Sequence, residues 1–504
     1  MTKSLYDIIL NNIEDGILKE GFTLPAEEDD PASGFADGAL DGITMYHAET
    51  KDLDASGTKQ MIKALKLGSE GNAEEADRCF AELGRSHRAI CCVDDIQNYI
   101  MSNKRRFEGG RLFGSAMWII LNSADRESVK FGMEIMELLE LEEPAKNVIR
   151  RMGLCEEFTV FAVWCMMNWD GGNNEIFDLI KKVRGWGRIH ALNFLDPETD
   201  EVKDWILHHG IENCVDPSYS AFDSWEKSDA AGRLKNRLTE EEFRSIGRII
   251  DALLDEGPVL GISRLDDAEE AMLDYLSQAR SFDLTAEDYE TVMEICIWAA
   301  DVDDGHPDVS AECTEMLSSA DCMEKAAEAA GQGRCLGLAE DLEIDYAESF
   351  FECFRNDFEN QYRKCSFLTC FDDYLKPVLK VFRYKLNPED LFRGRDDGKE
   401  TGPEVYDQLN SILLALGDHP GAGKDLLAAG LRSGMPATRE IALHAISLWT
   451  AALDQPVSEI SEKLLSELKK LDKKETESEL REMIRNLIDG MILDLSDTEE
   501  YPDE

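Results

Sequence analysis

Leu238-Thr-Glu-Glu-Glu-Phe-Arg-Ser-Ile-Gly-Arg-Ile-Ile aligns without a gap on Leu284-Thr-Ala-Glu-Asp-Tyr-Glu-Thr-Val-Met-Glu-Ile-Cys, which starts 46 residues further along the chain. In the first stretch Thr239 and Glu242 have the spacing of a capping box, in which each side chain satisfies the other's backbone N–H. Phe243, Ile246, Ile250 and Leu253 follow at steps of three and four, and Gly257-Pro258 stops the pattern, which predicts a helix over 239–254. The second stretch repeats the positions: Phe243 corresponds to Tyr289, Ile246 to Val292, Ile249 to Ile295 and Asp255 to Asp301. Paired-helix repeats recur at about 40–47 residues. The plain alternative is two unrelated amphipathic helices with a common type of cap. If the two are equivalent, Phe243 and Tyr289 should be similarly buried.

Outward from this pair, the same period recurs. Helices are predicted over 4–18, 126–141 (Val129, Met133, Met136, Leu139), 156–167, 198–208, 289–300, 404–416, 436–450 and 457–471. Alternating strand patterns are nearly absent, so the expected class is all-α, with helices stacked as antiparallel pairs. Residues 1–58 read as one helix followed by an irregular Gly-rich, acidic segment. Residues 59–225 and 226–495 read as two blocks of helical repeats, and 496–504 as a disordered acidic tail. Periodicity breaks at 212–237, and 301–308 and 393–403 read as loops.

A second echo joins Arg188-Ile-His-Ala-Leu-Asn-Phe-Leu with Arg439-Glu-Ile-Ala-Leu-His-Ala-Ile. A basic residue followed by a small Ala and then Leu resembles the inner helix of HEAT-like repeats. There, small residues admit a neighbouring helix and the Arg reaches back to an acidic loop. This resemblance covers about half of the chain and implies an α-solenoid with a concave binding surface. A narrower one rests on Gly185-Trp-Gly-Arg-Ile-His-Ala-Leu followed by Asp204-Trp-Ile-Leu-His-His-Gly. It is similar to a group of uncharacterised bacterial helical proteins, some labelled limonene hydroxylase. No haem-ligating Cys motif, dinucleotide Gly-x-Gly-x-x-Gly or flavin site accompanies it in the sequence.

The 504 residues carry 104 Asp and Glu against 53 Lys and Arg, a formal charge of −51. A phosphate-gripping protein needs a basic stripe, and a field of this sign repels polyanions, so neither nucleic acid nor an anionic membrane is an expected partner. An apolar content of 43% nevertheless places the chain among globular proteins. No apolar run is long enough to span a bilayer and no apolar stretch follows Met1, so export and membrane insertion are not expected. Thirteen scattered cysteines without a Cys-x-x-Cys fit a reducing cytoplasm.

Two motifs fail on their own spacing. An EF-hand reading of 301–308 would place Ala300 and Val302 where the ion needs oxygen ligands. Gly421-Ala-Gly-Lys424 resembles a phosphate loop, but Asp425 stands where a magnesium-binding Ser or Thr is required. No metal or cofactor is therefore expected.

Three candidates for chemistry remain should the chain be an enzyme: Asp41, His47 and His190. Asp37, Asp41, Tyr46 and His47 occur together and could line a cleft, or belong to a Gly-bearing loop anchored by Ile43 and Met45. His190 lies on a helix, and His208 and His209 end the next one, where a helix dipole favours them. Scarce basic clusters, Lys104-Arg105-Arg106 and Arg184 with Arg188 beside Trp186, are the candidate binding residues for an acidic segment or small anion, with Trp186 as aromatic anchor. Otherwise they neutralise nearby carboxylates and helix ends. The expected function is a non-enzymatic scaffold that binds a protein partner or a small anion in a groove. The alternative is an enzyme with its site between helices, as in the monoterpene hydroxylase activity that the narrower resemblance implies.

Overall fold

Both capping boxes form. Thr239 Oγ1 accepts the N–H of Glu242 at 3.2 Å, while Glu242 Oε2 accepts that of Thr239 at 2.8 Å. Thr285 and Asp288 reproduce the exchange at 3.3 and 2.7 Å, with the shorter acid in the same role. The helices they start run Glu240–Leu254 and Ala286–Asp301.

The computed structural model describes residues 3–25, 35–48, 53–301, 305–389, 391–392 and 402–492. Among them the class is all-α: helices follow one another along the chain, and consecutive helices pack together. The one sheet among the described residues is a hairpin of two residues per strand, Ile13–Glu14 with Ile17–Leu18. It replaces the second half of the helix expected over 4–18, which stops at Leu10. Asp15 and Gly16 both adopt positive φ, the geometry of a tight hairpin turn that the Asp-Gly pair favours.

Most helix expectations hold within a few residues, for instance Glu156–Met167, Pro403–Leu416 and Pro436–Leu453. The helix expected over 457–471 is two, Val457–Ile460 and Glu462–Leu471. Ser461 between them is extended, and its hydroxyl accepts the N–H of Leu464, so a local cap competes with helix continuation. Ala39–His47, expected as irregular, is a helix. Residues 212–237 contain the helix Ser218–Ser228. The acidic tail 496–504 lies outside the described residues, as do 302–304 and 393–401 of the two expected loops.

The chain divides into two compact units, Met1–Phe282 and Asp283–Glu504. A division at 225–226 would cut the Ser218–Ser228 helix. Phe243 belongs to the first unit, where it is 1% exposed and stacks on Tyr275 and Phe282, each with ring centroids 4.8 Å away. Tyr289 belongs to the second, is 6% exposed, and donates its hydroxyl to Asp321 Oδ2 at 2.9 Å. Phe243→Ala is expected to cost about 3–5 kcal/mol in chemical denaturation, because a stacked, sealed ring leaves a cavity. Tyr289→Phe should cost only about 1 kcal/mol, the worth of one hydrogen bond to a half-exposed acid. Equal losses for the two variants would show that burial does not set the cost.

The second echo also has a physical counterpart. Arg439 Nε and Nη2 grip both oxygens of Glu475 at 2.7 and 3.1 Å. Arg188 Nη2 reaches the carbonyl of His209 at 3.0 Å and Glu212 at 3.4 Å. Each Arg thus ties its own helix to a turn further along the chain.

Candidate functional site

Helix Ala39–His47 is where three of the sequence candidates meet their surroundings. Its Asp41 is sealed, with Oδ1 2.6 Å from Arg88 Nη2 and Oδ2 2.7 Å from Lys130 Nζ. Lys130, on helix Arg126–Glu137, is 0% exposed and also lies 2.9 Å from Glu127 and 2.5 Å from Glu157. Arg126 extends the cluster to Asp37 at 3.0 Å and to Glu157 at 3.3 Å. Backbone donors complete it: Gly38 N–H to Glu157 Oε2 at 2.9 Å and Ala89 N–H to Glu127 Oε2 at 2.6 Å.

Burial opposes the charges of Asp41, Lys130 and Glu127, and the outcome depends on the partners. For Asp41 it is outweighed by Lys130 and Arg88, which hold the carboxyl below its ordinary value. For Lys130 it is outweighed by Asp41, Glu127 and Glu157, which hold the ammonium above its usual range. Glu127 is raised, because burial and the Asp41 charge prevail over Lys130 and Arg88. Glu134, one turn beyond Lys130, is buried with neither oxygen accepting a hydrogen bond among the described residues, and burial pushes its carboxyl well above its ordinary value.

His190 is 1% exposed, neither ring nitrogen has a hydrogen-bond partner among the described residues, and burial lowers it to about 4 despite nearby Asp41. It is a neutral interior imidazole beside Trp186, with ring centroids 6.0 Å apart. His208 faces Ser245 Oγ at 2.8 Å and His209 faces Glu212 at 3.1 Å. Among the described residues no three His, Cys, Asp or Glu side chains are grouped so as to hold a metal ion.

The expectation that Arg184, Trp186 and Arg188 share one exposed patch requires correction. Trp186 is 5% exposed, enclosed by Ala39, Ile189, Tyr46 and Tyr219. Its helix, Gly185–Phe194, is buried over most of its circumference, so the indole serves as packing. Arg188 is half-buried over the Trp205 ring and occupied by the His209 carbonyl, while Arg184 is exposed. Glu156, on the neighbouring helix, accepts the N–H of Trp186 at 3.1 Å and caps this helix from across the interface. Burial pushes Glu156 up to about 7, although that N–H and Arg184 act in the other direction. Lys104, Arg105 and Arg106 form an exposed 3-10 turn, and none has an ion pair among the described residues.

An accessible cleft of about 480 Å³ opens on the other side of Tyr46 and Tyr219. Phe222, Asp223, Glu256, Pro258, Leu260 and Arg264 contribute to its walls. Tyr219 meets Trp186 edge-on at 4.9 Å and Tyr46 at 5.3 Å, so the aromatic core continues to the surface. His47, exposed at the end of its helix, has Nε2 2.7 Å from Tyr219 Oη. Ile43 and Met45 are partly exposed and do not anchor the segment; Ala39, Asp41 and Gly42 do.

Sequence reading missed Lys130, Glu127, Glu157, Arg88 and Tyr219. For Lys130 a signal existed: Val129, Phe131, Met133, Ile135 and Met136 surround the helix on all sides, which marks an interior helix whose charges must be paired. Tyr219 carried no such signal. No family model, curated protein or solved structure matches the chain.

Proposed function

We propose that the chain is a non-enzymatic helical scaffold that binds a protein partner at the cleft bordered by Tyr46, Tyr219, Phe222 and Leu260. The observation that supports it is a separation of roles. Asp41, Lys130 and His190 are sealed, and Asp41 and Lys130 neutralise each other, while the accessible surface presents rings and apolar side chains. Sealed groups cannot meet a substrate, and ring-lined clefts supply contact area at low entropic cost. A photo-crosslinking residue placed at position 260 is expected to capture a discrete partner, and Tyr219→Ala should abolish that capture with the fold intact by circular dichroism. Purification of the chain with a stoichiometric flavin, haem or metal, seen by absorption spectroscopy and elemental analysis, would overturn the reading.

The enzyme reading, including a hydroxylase activity, has one specific observation in its favour: the His47–Tyr219 pair can relay a proton at the cleft's edge. It transfers the candidate role to these two residues and away from Asp41 and His190. Turnover that His47→Gln eliminates would establish it.

A further inference from the structure

We infer that Cys296 and Cys313 are a redox-sensitive pair: a small neutral peroxide oxidises one thiol, and the other closes a disulfide between the two helices that carry them. Both belong to the second compact unit, whereas the cleft belongs to the first. Helices Ala286–Asp301 and Pro307–Leu317 are consecutive and pack against each other. They are tied at their junction, where the N–H of His306 donates to the carbonyl of Ala299 at 2.9 Å and the Trp298 and His306 rings stack with centroids 4.6 Å apart. The second helix therefore runs back along the first.

Cys296 stands one turn before Ala299, and Cys313 about two turns after His306. Helical side chains lean toward the N-terminus of their own helix, so Cys296 leans away from the junction and Cys313 toward it, which brings the two sulfurs to one level. There the Cys313 thiol is hydrogen-bonded to that of Cys296. Elsewhere thiols are spent on backbone carbonyls: Cys92 on Arg88 at 3.2 Å, Cys353 on Gln332 at 3.5 Å, Cys365 on Ser411 at 3.4 Å and Cys370 on Phe367 at 3.3 Å. Cys313 is 0% exposed, and burial first, then the charge and hydrogen bond of Cys296, push it up to about 12. Cys296 is only partly buried, so it is the member of the pair that an oxidant reaches.

The division of roles follows. The Cys296 thiolate attacks the O–O bond of the peroxide: an S–O bond forms, the O–O bond breaks, and the departing hydroxide takes a proton and leaves as water. The Cys313 sulfur then attacks the sulfenic sulfur: the S–S bond forms, the S–O bond breaks, and the departing hydroxide takes the Cys313 proton as a second water. Two thiols lose two electrons and two protons, and the peroxide gains both. A neutral oxidant suits the chain, because a net charge of −51 repels anionic disulfides. In a reducing compartment the pair rests as two thiols and closes only under peroxide.

The test treats the full folded chain with hydrogen peroxide, blocks the remaining thiols and digests it with a protease that cleaves before aspartate. That cleavage places Cys296 in fragment 288–300 and Cys313 in fragment 308–320, apart from Cys322. Mass spectrometry is expected to find the two fragments joined, in preference to every other cysteine pairing, and dithiothreitol should separate them. Cys370, which is exposed and hydrogen-bonded to a carbonyl, should instead be carried to sulfinic acid without a link. Cys296→Ser should abolish the link and leave Cys313 recovered as a free thiol. In the chain unfolded with urea before peroxide is added, the preference for this pairing should be lost. Recovery of Cys296 as sulfinic acid with no link, or a link from Cys296 to Cys322, would overturn the inference. The same preference in the unfolded chain would overturn it too, because sequence proximity and not the packed helices would then make the pair.

Discussion

Lys130→Met should destabilise the first compact unit by about 3–5 kcal/mol, as large an effect as any single substitution expected in this chain. The ammonium is 0% exposed and lies within 3 Å of Asp41, Glu127 and Glu157, three carboxylates that a methionine would leave packed together without a common counter-charge. Methionine fills nearly the same volume, so the loss reports charge and not a cavity. Adding Asp41→Asn should recover part of it, because one stranded charge is removed and the two sites share a partner. Lys235→Met provides the contrast: its pair with Glu270 at 3.0 Å is more than half exposed at both ends, so water screens it and its loss should leave stability nearly unchanged. Urea titration followed by tryptophan fluorescence and circular dichroism measures all three variants. A Lys130→Met cost below about 1 kcal/mol would mean that water or rearrangement compensates the cluster.

Gly42→Ala and Trp186→Ala should each be severe alone and partly cancel together. A Cβ at position 42 would stand 2.1 Å from Cε3 of Trp186 and 2.4 Å from Cδ2, well inside contact distance, and the ring is enclosed with little room to retreat. The added methyl is expected to cost about 3 kcal/mol through displacement of the indole. Truncation of Trp186 leaves a cavity and should cost about 3–5 kcal/mol. In the double variant the methyl enters the space that the ring vacated, so the total should fall short of the sum by about 1–3 kcal/mol. Strict additivity in a thermal or urea denaturation cycle would show that the helices Ala39–His47 and Gly185–Phe194 do not meet at this point. The same cycle tests the assignment of Trp186: an indole on an open partner surface would tolerate both changes.

Helix period, caps and charge were legible in the linear chain because each is a local property. The Thr239–Glu242 box, repeated by Thr285–Asp288, closes within four residues and needs no distant partner. The all-α class follows from the same steps of three and four, and the strongly acidic character from the charge balance. Legibility ended where one residue type serves two uses. Gly38 and Gly42 resemble loop glycines in sequence; in the fold Gly38 takes a positive φ and Gly42 admits the Trp186 ring, so the segment between them is a helix. Trp186 beside two arginines has the composition of a binding hot spot, and only its enclosure by Ala39, Ile189 and the tyrosines makes it core. Asp41, Arg88, Lys130 and Glu157 lie far apart along the chain, and nothing local marks them as one buried cluster. Local sequence thus determined which segments are helical and how acidic the chain is. Tertiary packing decided which charges and rings face inward, because desolvation and pairing depend on neighbours that linear order does not specify.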